Sequence, residues 1–389
     1  MRKTVPLFAA LLFALPAHAA DYVPPKGQWA TRTPAEEGFN PEKLKAAIAF
    51  AIGNDTKFDG AAADRLDAKD MALYIPLHFA HEPFSDPIGP LKPRAPANGI
   101  VLRHGYIVAT WGDIASVDMT HSVTKTFLSS VAGVAFDKHM IRSVNDRVID
   151  YVRPTPDFVA PHNRPITWDE MLRQTSGWAG TMWGKPWWAD RPGAEPYDEL
   201  LAGPPPVGKQ WKYSDVRVNA FALALTYLWK RPLPAVLKQY VMDPIGASDT
   251  WHWENYYNAW VTIGGQRMPV PPGGGHWGGG MFIDARDLAR MGLLGLRKGR
   301  WGGKTILSPR WVRMATTPTP QNSEYGYMNW FLNTNRKMFP AAPADSVAYL
   351  GDGVNMVFID YRHDVVAVVR WIDNAQLAEF VKRLEASVR

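Results

Sequence analysis

Two strand-forming pairs lie near opposite ends of the chain, and this separation constrains the fold more than any other feature. The pattern of residues 99–111 predicts a hairpin that turns at Arg103–Gly105, and residues 354–360 and 365–371 predict a second pair. Between them, the periodicity of residues 140–270 is mostly helical. Because a lone strand pair is only marginally stable, we expect both pairs to join one sheet. The long segment between them then forms an insertion.

Helical patterns beside these strands complete the expected architecture. Residues 40–52 and 375–388 each place apolar side chains on one face of a helix. We therefore predict an α+β fold, an α/β sandwich in which helices from both chain ends flank an antiparallel sheet. The expected sheet domain comprises residues 20–135 and 281–389, and the inserted, mostly helical subdomain comprises residues 136–280.

Residues 1–19 have the three parts of a secretory signal peptide. Arg2 and Lys3 form a basic start, residues 5–16 are apolar, and residues 17–19 form an Ala-x-Ala cleavage site. The apolar part is too short for a stable bilayer anchor, so an uncleaved anchor is the less favoured alternative. We expect cleavage to leave a secreted protein with no membrane anchor, and the periplasm as its destination.

Composition and motif context argue against several other classes. Lys and Arg number 43 against 37 Asp and Glu, and without a run of basic residues this net charge of +6 does not favour a nucleic-acid partner. The absence of cysteine excludes disulfides and cysteine nucleophiles. Residues 273–278 match GxGxxG, but prolines precede them where a dinucleotide-binding fold has a strand. The ten histidines lack metal-ligand spacing, so we expect no metal and no organic cofactor.

The segment from Ser122 to Lys125 contains the only S-x-x-K pattern in the chain, at the start of a predicted helix. Residues three apart share one helix face, so the two side chains can meet. A buried lysine beside a serine can lose its proton and act as a general base, and a helix start favours a developing oxyanion. The alternative is a helix-capping serine with a surface lysine.

Tyr213-Ser214-Asp215 is a second candidate element, because it follows a proline-rich loop and precedes a predicted helix. A tyrosine can pass a proton between nucleophile and leaving group if a nearby cation lowers its pKa. We expect Lys125 to be that cation. The alternative is a core tyrosine that packs before a helix.

Several segments occur in an order that is found in one known superfamily. They are Gly99–Trp111, His121–Phe127, Ile166–Gly177, Tyr213–Asp215 and Gly279–Arg290. Together they resemble the serine β-lactamase and penicillin-binding-protein superfamily, in its class C-like branch of esterases, D,D-peptidases and nylon-oligomer amide hydrolases. The resemblance covers nearly the whole chain after residue 19. It implies a β-lactamase/transpeptidase-like fold with Ser122 as nucleophile, Lys125 as base and Tyr213 as proton relay.

The chain departs from that family's pattern at two places. Asp215 stands where the family has asparagine, and Tyr349-Leu350-Gly351 takes the place of Lys-Thr-Gly. In the family, the oxyanion is bound by the nucleophile's own N–H and by the N–H that follows this glycine. The resemblance therefore implies the backbone N–H groups of Ser122 and Asp352 as the oxyanion donors. We also expect Asp215, Tyr349 and Gly351 to contact the substrate.

Tryptophan is concentrated in the middle of the chain, since ten of the seventeen fall between residues 178 and 277. In the resembling fold this stretch forms one wall of the cleft, and indole side chains suit an apolar acyl or alcohol group. We expect four of them to line the site, namely Trp178, Trp183, Trp187 and Trp251. The alternative is that most belong to the core of the subdomain.

These observations predict a secreted serine hydrolase that cleaves a small-molecule ester or amide through an acyl-enzyme. Within the same class, a β-lactamase or a D-alanyl-D-alanine carboxypeptidase is the alternative. A different class is a relative that has lost catalysis and binds cell-wall peptide or sugar. The presence of Ser122, Lys125 and Tyr213 argues against that last possibility.

Overall fold

The computed structural model describes residues 22–56, 70–80, 82–152, 155–190 and 198–389. The predicted signal peptide lies outside these described residues. In some of their helices and strands, the ends of the elements agree closely with the sequence patterns. For example, the helix expected over residues 40–52 spans Pro41–Gly53, with the Asn40 side chain accepting hydrogen bonds from the backbone N–H groups of Glu42 and Lys43.

The described residues form eleven α-helices. They are α1 (Pro41–Gly53), α2 (Met71–His78), α3 (Thr124–Asp137), α4 (Pro156–Val159), α5 (Trp168–Leu172), α6 (Asp198–Ala202), α7 (Asp215–Trp229), α8 (Leu233–Leu237), α9 (Ala285–Leu296), α10 (Pro309–Ala315) and α11 (Leu377–Ser387). Each helix among the described residues is too short or too polar to cross a bilayer.

The strands of the described residues number fifteen. They are β1 (Asn98–Arg103), β2 (Tyr106–Trp111), β3 (Asp118–Met119), β4 (Thr181–Met182), β5 (Lys185–Pro186), β6 (His252–Glu254), β7 (Trp260–Ile263), β8 (Gln266–Pro269), β9 (Gly280–Ile283), β10 (Arg300–Trp301), β11 (Lys304–Thr305), β12 (Phe331–Leu332), β13 (Val347–Gly351), β14 (Asn355–Asp360) and β15 (Val365–Arg370).

The central sheet joins both ends of the chain, as the separated strand pairs predict. Its six strands lie in the order β12-β13-β14-β15-β1-β2, with antiparallel neighbours. Strand β1 pairs along its whole length with β15, from Asn98 opposite Arg370 to Arg103 opposite Val365. The predicted α+β class with an antiparallel sheet is confirmed.

Helices cover both faces of this sheet. On one face, α9 packs so closely that a Cβ at Gly292 would lie 2.6 Å from Val366 and 2.7 Å from Val357. On the other face, α1 and α11 pack against each other, and Leu44 and Phe380 join the buried side chains of the strands. Strands buried on both faces are uniformly apolar, which explains the unbroken Val-rich sequence of β15.

The middle of the chain contains more strand than the periodicity of residues 140–270 predicts. Besides α4 to α8, it contributes the short hairpins β4–β5 and β7–β8. Strand β6 pairs with β9, which also pairs with β3, so a three-stranded sheet ties the middle segment to the residues just before α3. These strands have only two to four residues, too few for alternation to separate them from loops.

Candidate active site

Ser122 lies in a tight 3-10 turn, His121–Val123, that leads directly into α3. The turn is anchored on β9, because the Thr124 hydroxyl accepts a hydrogen bond of 3.0 Å from the backbone N–H of Met281. His121 has a left-handed backbone (φ 45°), and burial lowers the pKa of its imidazole to about 4. Ser122 itself is half-buried at the start of the helix.

Lys125 is fully buried, with an exposed fraction of 0%. Its Nζ donates a hydrogen bond of 2.8 Å to Ser122 Oγ and a second, short one to Asp215 Oδ1. This placement excludes the alternative of a surface lysine. An amine held on a serine hydroxyl can accept the hydroxyl proton when a carbonyl carbon approaches Oγ.

Tyr213 completes a cluster with these two residues, since Lys125 Nζ lies 4.4 Å from the centroid of its ring. The expectation that Lys125 lowers the pKa of Tyr213 is wrong. Burial and the negative charge of Asp215 raise that pKa well above its ordinary value, and the hydrogen bond with Ser122 only partly opposes them. Tyr213 is therefore a protonated phenol at neutral pH.

Asp215 is the first residue of α7, and its carboxylate faces Lys125. Its second oxygen accepts a hydrogen bond of 3.0 Å from the backbone N–H of His276. Burial opposes ionisation, but Lys125 and His276 outweigh it and lower the pKa of Asp215. The predicted role of Asp215 in substrate binding is not what these contacts indicate, because both of its oxygens are engaged within the protein.

Strand β13 passes beside the nucleophile, where the resemblance implies the second oxyanion donor. A Cβ at Gly351 would lie 2.2 Å from the carbonyl oxygen of Thr120 and 3.2 Å from the backbone nitrogen of Ser122. Only glycine permits this approach. Asp352 follows at once, and its carboxylate lies 3.4 Å from His78 Nε2. Burial would raise the pKa of Asp352, but His78 lowers it.

Tyr349 is on the same strand but in the core. Its ring is 1% exposed, lies 4.9 Å from the ring of Trp330, and has its hydroxyl against Gly295 of α9. This buried position does not support the expected contact between Tyr349 and a substrate. Leu350 is half-buried and packs with the side chains of the opposite sheet face.

The four tryptophans have different environments. Trp178 is fully buried, and its indole N–H donates to the carbonyl of Asp157 at 3.2 Å. Trp251 lines a separate cavity of about 340 Å³ beside Pro234. Trp183 and Trp187 are half-buried, so each leaves part of its side chain exposed.

Three residues that were not predicted from the sequence lie close to Asp215. His276 Nε2 lies 2.7 Å from Glu82 Oε2 and His276 Nδ1 lies 3.9 Å from Asp190 Oδ1, while Asp190 accepts a hydrogen bond from the backbone N–H of Asp215. Glu82, Asp190 and His276 are far apart in sequence, so no local pattern joins them. The glycines that precede His276 were the one sequence feature that could have indicated the importance of this segment.

Two clusters among the described residues bring three possible metal ligands within 4.8 Å of one another. One is Glu82, Asp190 and His276, and the other is Asp360, His363 and Glu385. Both are hydrogen-bonded internally, through His276 with Glu82 and His363 with Asp360.

A larger cavity lies elsewhere in the molecule. It measures about 750 Å³ and lies between the segment around Trp29 and the start of α9, with Asp284, Asp287 and Arg290 among its lining residues. Neither Ser122 nor Lys125 lines it, so the volume of this cavity says nothing about the substrate of the serine cluster.

Comparison with known proteins agrees with this geometry. The model of the Beta-lactamase family matches residues 117–383. EstCE1, a hydrolase with promiscuous acyltransferase activity, is 15% identical over 89% of this chain and 98% of its own, with a TM-score of 0.54. A beta-lactamase/D-alanine carboxypeptidase from Pseudomonas syringae is 13% identical over 78% and 94%, also with a TM-score of 0.54.

A penicillin-binding protein homologue from Caulobacter crescentus is similar to the same degree, being 13% identical over 75% of this chain and 92% of its own with a TM-score of 0.54. No curated protein matches the sequence significantly. Identities this low establish a shared fold, while the chemistry of the site has to be argued from its own residues.

Proposed function

Because the chain belongs to the beta-lactamase family of hydrolases, we propose that it is a serine hydrolase that cleaves an ester or an amide through an acyl-enzyme on Ser122. The observation that carries this proposal is the 2.8 Å hydrogen bond between Lys125 Nζ and Ser122 Oγ, made by a lysine with 0% exposure. Because the Lys125 amine is buried, water does not compete with it for the Ser122 proton. The pair is therefore suited to nucleophilic catalysis.

In the acylation step, Ser122 Oγ attacks the carbonyl carbon and its proton passes to the neutral amine of Lys125. The carbonyl oxygen takes up the negative charge between the backbone N–H groups of Ser122 and Asp352. Fixed donors of this kind contribute much of the rate enhancement in acyl transfer. The close approach of Gly351 to the turn of Ser122 supports this assignment of the donors.

In the second half of the step, the bond from the carbonyl carbon to the leaving oxygen or nitrogen breaks, and the leaving group takes the proton of the Tyr213 hydroxyl. The proton on Lys125 then passes to the Tyr213 phenolate, so that both groups regain their starting protonation states. The raised pKa of Tyr213 keeps its hydroxyl protonated at neutral pH, so a proton is in place when the leaving group departs. A water molecule repeats the sequence against the acyl-enzyme, and the product acid is released.

We propose a neutral substrate. The family's Lys-Thr-Gly lysine and threonine are absent here, and in their place stand a buried tyrosine and a leucine. The next residue, Asp352, adds a carboxylate that is about one third exposed, with His78 beside it. Charge-assisted hydrogen bonds are stronger than neutral ones. A substrate that carries a carboxylate next to the reacting bond therefore loses such contacts in this site.

We also propose that the protein is exported and processed after residue 19, because residues 1–19 have the composition of a signal peptide. The amino-terminal sequence of protein isolated from the periplasm tests this point. Processing predicts a chain that begins at Ala20, whereas a chain that retains Met1 in the membrane fraction contradicts it.

A fluorophosphonate probe tests the catalytic assignment. The wild-type protein should label once, with the label on Ser122, and Ser122→Ala should neither label nor turn over substrate. Ser143→Ala is the matched control, since this serine hydroxyl only accepts a bond from the Asn145 backbone. Lys125→Ala should lower turnover at least about 100-fold. A wild-type protein that neither labels nor hydrolyses any substrate would be a binding relative, and the proposal would fail.

A substrate panel tests the proposed class. It should include short-chain esters, linear amides, a chromogenic cephalosporin and a D-Ala-D-Ala peptide. Neutral esters or amides should exceed the anionic substrates by roughly 30- to 1,000-fold in kcat/KM, the worth of one or two charge-assisted contacts. Cephalosporin turnover equal to that of the best ester would identify a β-lactamase instead.

A further inference from the structure

His276 is the centre of a buried group of charges behind the catalytic residues. Its side chain is only 9% exposed and lies between Glu82, with 0% exposure, and Asp190, with 3%. The ring also packs on Phe79, with 4.0 Å between the ring centroids. Histidine in such a position is fixed on three sides, so its backbone is fixed as well.

The backbone of this segment contacts the catalytic ion pair directly. The His276 N–H donates to Asp215 Oδ2 at 3.0 Å. Two residues earlier, a Cβ at Gly274 would lie 2.2 Å from Asp215 Oδ2 and 2.3 Å from Lys125 Nζ. The glycines therefore allow the main chain to contact the pair of Lys125 and Asp215 directly. The side chain of His276 holds that main chain in place.

A cation on His276 reduces the excess of negative charge in this group. Asp215 faces Lys125, whereas Glu82 and Asp190 face His276. Burial would lower the pKa of His276, but Asp190 and Glu82 outweigh it and raise the pKa to about 9. The imidazolium is thus present at neutral pH and is lost as pH rises through about 9.

We propose that His276 is a positioning residue whose cation, held between Glu82 and Asp190, offsets the carboxylates behind the catalytic pair. Asp215 can then hold Lys125 on Ser122 without making the Lys125 proton too costly to lose. This inference rests on the proposed function, in which Lys125 must accept the Ser122 proton. It also explains why position 215 can hold a carboxylate, because Asp215 has the cation of Lys125 on one side and that of His276 on the other.

The sign of the effect follows from charge alone. Removing the His276 cation leaves more negative charge around Lys125, which favours its ammonium form and demands a higher pH for attack. Removing the Glu82 carboxylate does the opposite. The charged and titratable groups described around His276 and Lys125 are Glu82, Asp190, Asp215, Tyr213, Tyr256, Tyr325, His78, His121 and Asp352, with Lys185 beyond Trp277.

The test is the pH dependence of the rate constant for fluorophosphonate labelling of Ser122 in the full mature chain. His276→Gln should move the midpoint of this profile upward by on the order of one pH unit, so that labelling below the midpoint slows about tenfold. Glu82→Gln should move the midpoint downward. His104→Gln is the matched control, because His104 also pairs with a buried glutamate, Glu37, at 2.6 Å, and its profile should equal that of the wild type.

Opposite shifts in the two variants distinguish an electrostatic role from a merely structural one, since loss of structure slows both variants without opposite shifts. Shifts in the same direction, or an unmoved profile in His276→Gln, overturn the role of His276. If His276→Gln does not fold, the direction of the Glu82→Gln shift decides. Failure of the wild-type protein to label at Ser122 would instead overturn the proposed function, so the two failures are distinguishable.

Discussion

Lys125 makes two hydrogen bonds with different chemical consequences. In the proposed mechanism the bond to Ser122 lets the amine take the serine proton, whereas the contact with Asp215 pairs the side chain with a carboxylate. The residues that surround this pair therefore bear directly on the reaction proposed for Ser122.

Replacing Tyr213 by phenylalanine removes the proposed proton donor but keeps the ring beside Lys125. We expect Tyr213→Phe to lower kcat for an amide about 100-fold or more, because a poor leaving amine needs a proton. A p-nitrophenyl ester should lose much less, since its leaving group departs as a stable anion. Steady-state rates on both substrates check this, and an equal loss on both would argue against the relay.

Replacing Asp215 by asparagine breaks a buried ion pair. We expect Asp215→Asn to lower the free energy of unfolding by roughly 3 kcal/mol at pH 7, because Lys125 is left without its partner. The pKa of Asp215 is lowered in the folded protein, so its contribution is present above the unfolded pKa of about 3.9 and is lost as pH falls. The difference in stability between the two proteins should therefore shrink as pH falls below about 4.

Urea unfolding at pH 7 and pH 3 measures this difference. Asp243→Asn is the matched control, since its pair with Lys238 is exposed, with 46% of each side chain accessible. Exposed pairs contribute less than about 1 kcal/mol. Equal stability of Asp215→Asn and the wild type at pH 7 would show that the buried pair does not stabilise the fold.

At the scale of single elements, β13 can lie close to the start of α3 because Gly351 has no side chain. Gly351→Ala should lower kcat about 100-fold or more with little change in KM, because a methyl group pushes the strand away from the turn and displaces one oxyanion donor. Steady-state kinetics with a neutral ester measures both constants.

Gly53→Ala is the matched substitution for that experiment. Gly53 lies at the end of α1, and a Cβ at this position would have no other atom within 4 Å, so the variant should keep wild-type kinetics. A Gly351→Ala protein with unchanged kcat would remove Asp352 from the oxyanion site.

Local elements were predictable where the sequence carries a local signal. Thr167 and Glu170 form the capping box that opens α5, and the Asp284 side chain caps α9, so both starts have a local sequence signal. Helix α7 begins at Asp215 after Ser214, which makes no side-chain capping hydrogen bond, so no local pattern marks its start. Pro76 inside helix α2 obscures the helical period of that segment.

Across the whole molecule, the sheet depends on β15, which lies between β1 and β14. Deleting residues 365–389 removes β15 and α11 and leaves the remaining strands as two separate groups. We expect this truncated chain to lose cooperative thermal unfolding, as followed by circular dichroism. Deleting residues 1–19 is the control and should preserve the transition, whereas cooperative unfolding of the chain that lacks residues 365–389 would contradict the role of β15.

The sequence predicts the cluster of Ser122, Lys125 and Tyr213 because a three-residue spacing and a family-like order are visible in one dimension. It does not predict the environment of the cluster. Tyr213 illustrates the difference, because its pKa depends on burial and on Asp215 more than on the nearby lysine. Likewise, folding alone brings together Glu82, Asp190 and His276. No sequence pattern indicates a contact between residues that are 194 positions apart.

The order of the elements along the chain has a consequence for the time at which the serine becomes reactive. Ser122, Lys125, Tyr213 and Asp215 all precede β13, which is built from residues 347–351. During synthesis, the proposed nucleophile and base therefore emerge long before the strand that carries the proposed oxyanion donor. We expect a ribosome-bound intermediate to lack the complete oxyanion site, which would protect Ser122 from acylation by the esters and thioesters of the cell.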